Sequence, residues 1–227
     1  LILSSDTGEG HNSAARALSE AALSAGWHVS VKKPLEESAA GNRLLGGLYN
    51  FLLTYRPGWV GLFASSIEFS KVYEADLFYR HVRRYIQRFI ESEEPSAVVS
   101  VHPMLNHMIQ RWISEQHLQI PCYTFVTDPF PPFWKGWASR YVSRYFVLTD
   151  EAGIRLAHDG VDPTRIEQVS MPLRPGFHAR SAEEVAELRS GLDVEGETIF
   201  VNGGARGGGR LRALVQAVLE AAPTANV

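Results

Sequence analysis

Four short apolar runs, each closed by a polar residue, limit this chain to very few folds. Leu1–Leu3 runs into a glycine-rich turn, Ala97–Val101 (AVVSV) ends at His102-Pro103, Pro121–Thr127 (PCYTFVT) ends at Asp128-Pro129, and Arg144–Leu148 (RYFVL) ends at Thr149-Asp150-Glu151. Strands that read as nearly unbroken apolar runs, followed by a helix or loop, belong to a parallel sheet covered on both faces by crossover helices. The fold class is therefore α/β. In such sheets ligands sit outside the carboxyl ends of the strands. His11, His102, Asp128 and Thr149, far apart in the chain, are predicted to lie along one edge.

The first of these units is the most informative. Leu1–Leu3 is a buried strand, Gly8 and Gly10 permit a tight turn that a side chain would obstruct, and Ala14, Ala15, Leu18, Ala21, Ala22 and Ala25 mark an apolar helical stripe ended by Gly26. A strand, a glycine turn and a helix start make an anion site or a place to hold a catalytic side chain. A dinucleotide fingerprint would have glycine at Ser13 and an acid closing the next strand, Trp27–Val31. Lys32 and Lys33 stand there instead, which disfavours NAD and leaves an NADP reading through the two lysines. No Gly-Lys-Ser/Thr closes the turn, so the P-loop pattern fails as well. What remains is a histidine, His11, expected to be exposed at a helix start, where the helix dipole favours the neutral imidazole that a general base requires. A histidine that merely caps the turn is the other reading of the same residues.

Composition narrows the partners. A net charge of -3 on 227 residues gives no electrostatic case for nucleic acid. The single cysteine, Cys122, is read as a small buried hydrophobe, and it fits a reducing, cytoplasmic setting. No run of about 18 apolar residues offers a membrane span, and no basic leader precedes the first strand. The abrupt start inside a strand suggests missing residues. At the other end Glu197–Asn202 reads as a strand, Gly203–Gly209 as a glycine-rich turn and Arg210–Ala222 as a helix, a unit that cannot bury both its faces alone. The expectation is a fragment holding a first domain and the opening of a second.

Asp6-Thr7-Gly8-Glu9-Gly10-His11-Asn12-Ser13-Ala14-Ala15 resembles the opening loop of the monogalactosyldiacylglycerol synthases and the bacterial processive diacylglycerol glucosyltransferases, with Glu9 as a departure. The resemblance implies a GT-B glycosyltransferase with two Rossmann-like domains, the acceptor held by the first and the sugar nucleotide mainly by the second. More distantly the loop is similar to that of the transferase that adds N-acetylglucosamine to lipid-linked peptidoglycan precursor. His102-Pro103 resembles the family's strand-end His-Pro segment, where the histidine shapes the acceptor pocket. Val126-Thr127-Asp128 resembles its Val-Thr-Asp motif, and Met171-Pro172-Leu173-Arg174-Pro175-Gly176-Phe177 its interdomain segment, with Met171 in place of the usual glycine. Pro172, Pro175 and Gly176 interrupt the pattern and Ser181 opens a polar helix, which puts a boundary near Met171–Ala182; the resemblance supports it, implying an acceptor domain at 1–170, a linker at 171–182 and an incomplete nucleotide-sugar domain at 183–227. It implies acceptor contacts at Gly8, Gly10, Asn12 and His102. It also implies donor contacts at Gly203, Gly204, Arg206 and Gly207, in a turn whose amides suit a pyrophosphate.

Several features keep two readings. Asp128 is taken with His11 as catalytic, orienting that histidine or holding an acceptor hydroxyl or the sugar, or it is a turn cap. Trp134 and Trp137, in Pro129–Trp137, are expected to stack on a sugar or face a membrane, with the prolines keeping them out of the core. Relatives often carry a histidine near the position of Phe133. Leu35–Ser92 reads as a long helical region, and the leucines and aromatics of Leu44–Phe63 either pack on the sheet or form an exposed face for a bilayer or acyl chains. Arg80, Arg83, Arg84 and Arg88 share a helix face that meets anionic headgroups or is simply solvated. His102 and His107 are five residues apart, a poor match to helical zinc pairs, so no metal site is expected, and no cofactor. The expected activity is inverting transfer of a hexose from UDP-galactose or UDP-glucose to diacylglycerol by a peripheral membrane enzyme. A polyprenyl-linked or soluble acceptor, or a non-catalytic lipid-binding module, is the alternative.

Overall fold

The computed structural model describes residues 1–7, 9–38, 40–71, 74–192, 196–202 and 211–226, with the backbone alone described at 57 and 64. The chain runs β1 (Ile2–Leu3), α1 (Glu9–Ser24), β2 (Val31–Lys32), α2 (Pro34–Ser38), α3 (Ala40–Tyr55), α4 (Pro57–Ser70) and α5 (Asp76–Glu93). It continues through β3 (Val98–Ser100), α6 (Pro103–Asn106), α7 (Ile109–Glu115), β4 (Cys122–Phe125), β5 (Arg144–Val147), α8 (Asp150–His158), β6 (Ile166–Gln168), α9 (Ala182–Gly191) and α10 (Leu211–Ala221). The strands form one six-stranded sheet in the order β2-β1-β3-β4-β5-β6. Every pairing is parallel, as between Ile2 and Val99 or Thr124 and Tyr145. The protein has a Rossmann-like α/β architecture.

Alternation along the strands divides the core. Leu3 and Val98 face α5 and α7, where Val82, Ile86, Ile90, Ile109 and Trp112 close over them. Ile2, Val101 and Phe125 face the other way, onto Ala14 and Ala15 of α1. Alanine at both helix positions lets α1 lie close to the sheet, and both are fully buried. A third cluster, with Trp137, Tyr145, Val147 and Leu156, seats α8 and the loop after β4.

Two expectations about elements change, and one strand lies where none was expected. The second strand is Val31–Lys32, because Trp27 is used in the cap of α1. Gly26 takes φ 83°, Trp27 N–H donates to Ala22 O at 3.0 Å, and the indole is left 63% exposed. A sixth strand, β6, has no apolar run to announce it, since Glu167 and Gln168 are exposed at the sheet edge. Glu197–Asn202 is not a strand; among the described residues it makes only the isolated bridge Thr198–Asn226. The long helical region resolves into α2 to α5. Ser181 caps α9 with a full capping box, its Oγ accepting from Glu184 N–H and Glu184 Oε2 from Ser181 N–H.

Candidate active site

The strand order reverses direction between β1 and β3, so the loops leaving these neighbours diverge and open a crevice at their carboxyl ends. The loop after β1 carries α1, whose third residue is His11; Val101-His102 follows β3 directly. His11 and His102 meet there edge to face, ring centroids 4.8 Å apart.

His11 Nδ1 lies 2.7 Å from Val101 O and 3.1 Å from Thr127 Oγ1. A backbone carbonyl only accepts, so Nδ1 carries the proton and Nε2 keeps its lone pair. Among the described residues Nε2 has no hydrogen-bond partner. His11 is partly buried rather than exposed. Burial is the main cause that lowers its pKa, opposed by the charge of Asp128 and by the bond to Val101 O. The neutral form expected from the helix dipole is therefore held chiefly by desolvation.

His102 is 4% exposed, and its Nε2 lies 2.8 Å from Thr7 Oγ1. Burial, then the neighbouring His11, holds its pKa well below the usual imidazole value. Ser100 Oγ donates to His102 O and accepts its N–H, fixing the backbone before Pro103 starts α6.

Asp128 does not bond His11. Its Oδ2 accepts the indole N–H of Trp137 at 2.7 Å. Trp137 is fully buried, with its ring centroid 6.1 Å from that of His11, so it is a wall of the site and not a surface stacking platform. The prolines do not keep it out because Asn106 Nδ2 donates to Trp137 O and His107 Nε2 to Gly136 O, anchoring the loop to α6. Phe133 is buried beside it, and Trp134 lies so close to Gly136 that a Cβ there would come within 3.1 Å of the indole. Thr149 is at the same edge but serves as the cap of α8, accepting Ala152 N–H and donating to Pro129 O.

Asn12 is also committed. It is buried, accepts from Ser4 Oγ and donates to Asp6 Oδ1, tying the end of β1 to α1 instead of facing a ligand. Among the described residues, nothing outside the backbone of α1 comes within 4 Å of a Cβ added at Gly10, so packing gives no reason for glycine there. Lys33 pairs with Asp6 and Lys32 with Glu93, so both ammonium groups of the NADP reading already have a carboxylate partner. Gly8, Gly203, Gly204, Arg206 and Gly207 lie outside the described residues.

Sequence reasoning missed the roof of the site, α3. Asn50 Nδ2 donates to Asp6 O at 2.8 Å, and Gly46 sits over Thr7, whose methyl carbon would be 3.7 Å from an added Cβ. Tyr49, between them, has its pKa raised by burial and by the charge of Asp128. The helical spacing of 46, 49 and 50 was the available signal. The opposite face of α3 is apolar and open: Leu44, Leu45, Leu48, Phe51 and Tyr55 are exposed, as are Trp59, Leu62 and Phe69 of α4, the last at 93%. Arg80, Arg83, Arg84 and Arg88 are exposed on α5 and form no ion pair among the described residues. No described helix is long and apolar enough to cross a membrane.

These features can be set beside known proteins. Residues 11–173 match the family model described as monogalactosyldiacylglycerol (MGDG) synthase. The chain is 28% identical over 239 residues to a chloroplastic monogalactosyldiacylglycerol synthase of Spinacia oleracea, covering 100% of this chain and 45% of that protein. It is 24% identical over 215 residues to a processive diacylglycerol beta-glucosyltransferase of Bacillus pumilus, covering 91% of this chain and 54% of that protein. The chain thus spans about half the length of the curated relatives it matches. With the match running from His11 to Leu173, most of the chain's length, this chain belongs to the monogalactosyldiacylglycerol synthase family.

Proposed function

We propose that this chain is the acceptor-side half of an inverting glycosyltransferase that moves a hexose from UDP-galactose or UDP-glucose to diacylglycerol. The observation that carries the reading is the state of His11: Nδ1 is occupied by Val101 O, Nε2 is left with a lone pair, and burial keeps the ring neutral. Nε2 takes the proton of the acceptor hydroxyl as its oxygen forms a bond to the anomeric carbon. The bond from that carbon to the diphosphate breaks on the opposite side, UDP leaves, and the configuration inverts. No covalent enzyme intermediate is needed. Asp128 favours the step at a distance, since its charge raises the proton affinity of His11. The segment after the 171–182 linker, with the glycine-rich sequence 203–209, holds the donor and meets the charge that develops on its diphosphate.

The acceptor is chosen by the roof. One face of α3 rests on the loop that carries His11, while the other face, with α4, exposes leucines and aromatics suited to acyl chains at a bilayer surface. The enzyme so read works as a peripheral membrane protein. The names of the relatives, monogalactosyldiacylglycerol synthase and diacylglycerol beta-glucosyltransferase, support the same acceptor and both sugars.

The test is transfer of radiolabelled sugar from each UDP-hexose to diacylglycerol in mixed micelles, with the full-length protein beside its His11→Ala variant. Loss of a general base costs roughly 10²–10⁴-fold. Undiminished turnover in the variant refutes the role of His11, and no product from either donor refutes the acceptor or the reaction.

A further inference from the structure

A chain of hydrogen bonds leads from a carboxylate on α2 to His102, and its directions can be worked out from one end. Glu36 Oε1 accepts from Ser5 Oγ at 2.6 Å and from Asp6 N–H at 2.7 Å. Ser5 has a single hydroxyl proton, which Glu36 takes, so at the 3.1 Å contact between Ser5 Oγ and Thr7 Oγ1 it is Thr7 that donates. Thr7 N–H also points to Ser5 Oγ, at 3.3 Å, filling its second lone pair. With the Thr7 proton spent, the 2.8 Å contact to His102 leaves Nε2 of the histidine as donor. His102 is therefore the Nε2–H tautomer. Its Nδ1, buried and without a hydrogen-bond partner among the described residues, is a bare lone pair. That is also the cheaper arrangement, because an orphaned buried N–H is rarer than an orphaned acceptor.

We infer that Glu36 is a positioning residue of the site, acting through Ser5 and Thr7 to hold His102 in one tautomer against the ring of His11. The same carboxylate pins the Ser5–Thr7 loop that delivers α1, so it sets both imidazoles of the pair. Its bearing on catalysis rests on the reading of His11 as the base. A rotated or tautomerised His102 displaces a ring packed at 4.8 Å from His11 and misaims Nε2 toward the acceptor hydroxyl. Glu36 lies 30 residues from Asp6 in sequence, outside every motif that carries the family resemblance.

The experiment reads the tautomer directly, by long-range 15N–1H correlation on the full-length protein labelled at histidine, with turnover measured alongside. Wild-type His102 is expected to show a protonated Nε2 and an unprotonated Nδ1. Thr7→Val, which removes the hydroxyl that accepts the hydrogen bond from Nε2–H, and Glu36→Leu are expected to give a mixture of tautomers. They are also expected to lower kcat about tenfold or more, with KM for the UDP-sugar unchanged. Glu36→Gln keeps an amide oxygen for Ser5 and Asp6 and is expected to restore both. A wild-type His102 protonated at Nδ1 overturns the inference whatever the variants do. So does a Thr7→Val protein with an unaltered tautomer and full kcat. Should His11→Ala retain turnover, the base assignment falls while the tautomer still decides the role of Glu36.

Discussion

Asp128 separates two accounts of the site. If it orients His11 directly, Asp128→Ala damages the reaction and leaves the fold nearly intact. The geometry says instead that its Oδ2 satisfies the indole N–H of a fully buried Trp137, 2.7 Å away. Deleting the carboxylate strands that N–H, at about 1–3 kcal/mol for an unsatisfied buried donor. Asp128→Asn retains an acceptor oxygen and should cost less than about 1 kcal/mol. The clean measurement is a double-mutant cycle with Trp137→Phe, followed by far-UV circular dichroism in urea on the full-length protein. The phenylalanine loses packing on its own account, but the cycle cancels that and isolates the bond. A coupling of about 1.5–3 kcal/mol is expected for a hydrogen bond to a charged acceptor. A coupling within about 0.5 kcal/mol of zero refutes the assignment. The same Asp128→Asn protein tests the electrostatics separately: with the charge gone, one cause that raises the His11 pKa disappears, so the acid limb of kcat/KM should move to lower pH. An unmoved limb denies any electrostatic part for Asp128.

Two further outcomes are expected. Burial lowers the pKa of His11, His102 and His107 below the ordinary 6.5. The stability they contribute is complete above pH 6.5 and is lost as the pH falls through their native values, at up to about 1.4 kcal/mol per pH unit for each. Urea unfolding at pH 7.5 and 5.5 should show the loss, and equal stability at the two would contradict it. On the α3–α4 hairpin, Trp59→Ser with Leu62→Ser removes side chains each worth about 1.5–3 kcal/mol when buried, so flotation with diacylglycerol-containing liposomes should fall at least tenfold. Exposed as they are, the same changes should leave the unfolding midpoint nearly unchanged, and undiminished flotation would count against a membrane role for this face.

The ends of β1, β3, β4 and β5 were legible because a strand buried on both faces must be apolar throughout, and the first polar residue after it marks where the sheet stops. By that reasoning His11, His102, Asp128 and Thr149 share one edge, because each follows an apolar strand. It failed at β6, where Glu167 and Gln168 face solvent at the edge and carry no such mark. It failed again at Trp137. A loop rich in proline and aromatics looks exposed in sequence, and what buries it is a pair of side chains, Asn106 and His107, about 30 residues earlier. Partners of that kind obey no periodicity, so no window along the chain detects them.

The same limit explains why residues expected to share one task at this edge are found bonded to other partners. The spacing of a motif tells which side chains arrive at an edge; it does not tell which of them are spent on one another. Asn12 and Asp128 arrive and are spent, one on Ser4 and Asp6, the other on Trp137. His11 is held by a backbone carbonyl, which has no identity in a sequence at all. A histidine oriented by Val101 O rather than by a carboxylate has a consequence for its chemistry. In the proposed reaction the proton taken at Nε2 is not shared with a buried acid at Nδ1; the imidazolium is stabilised by the charge of Asp128 and by the bond to Val101 O, while burial favours its return to the neutral form.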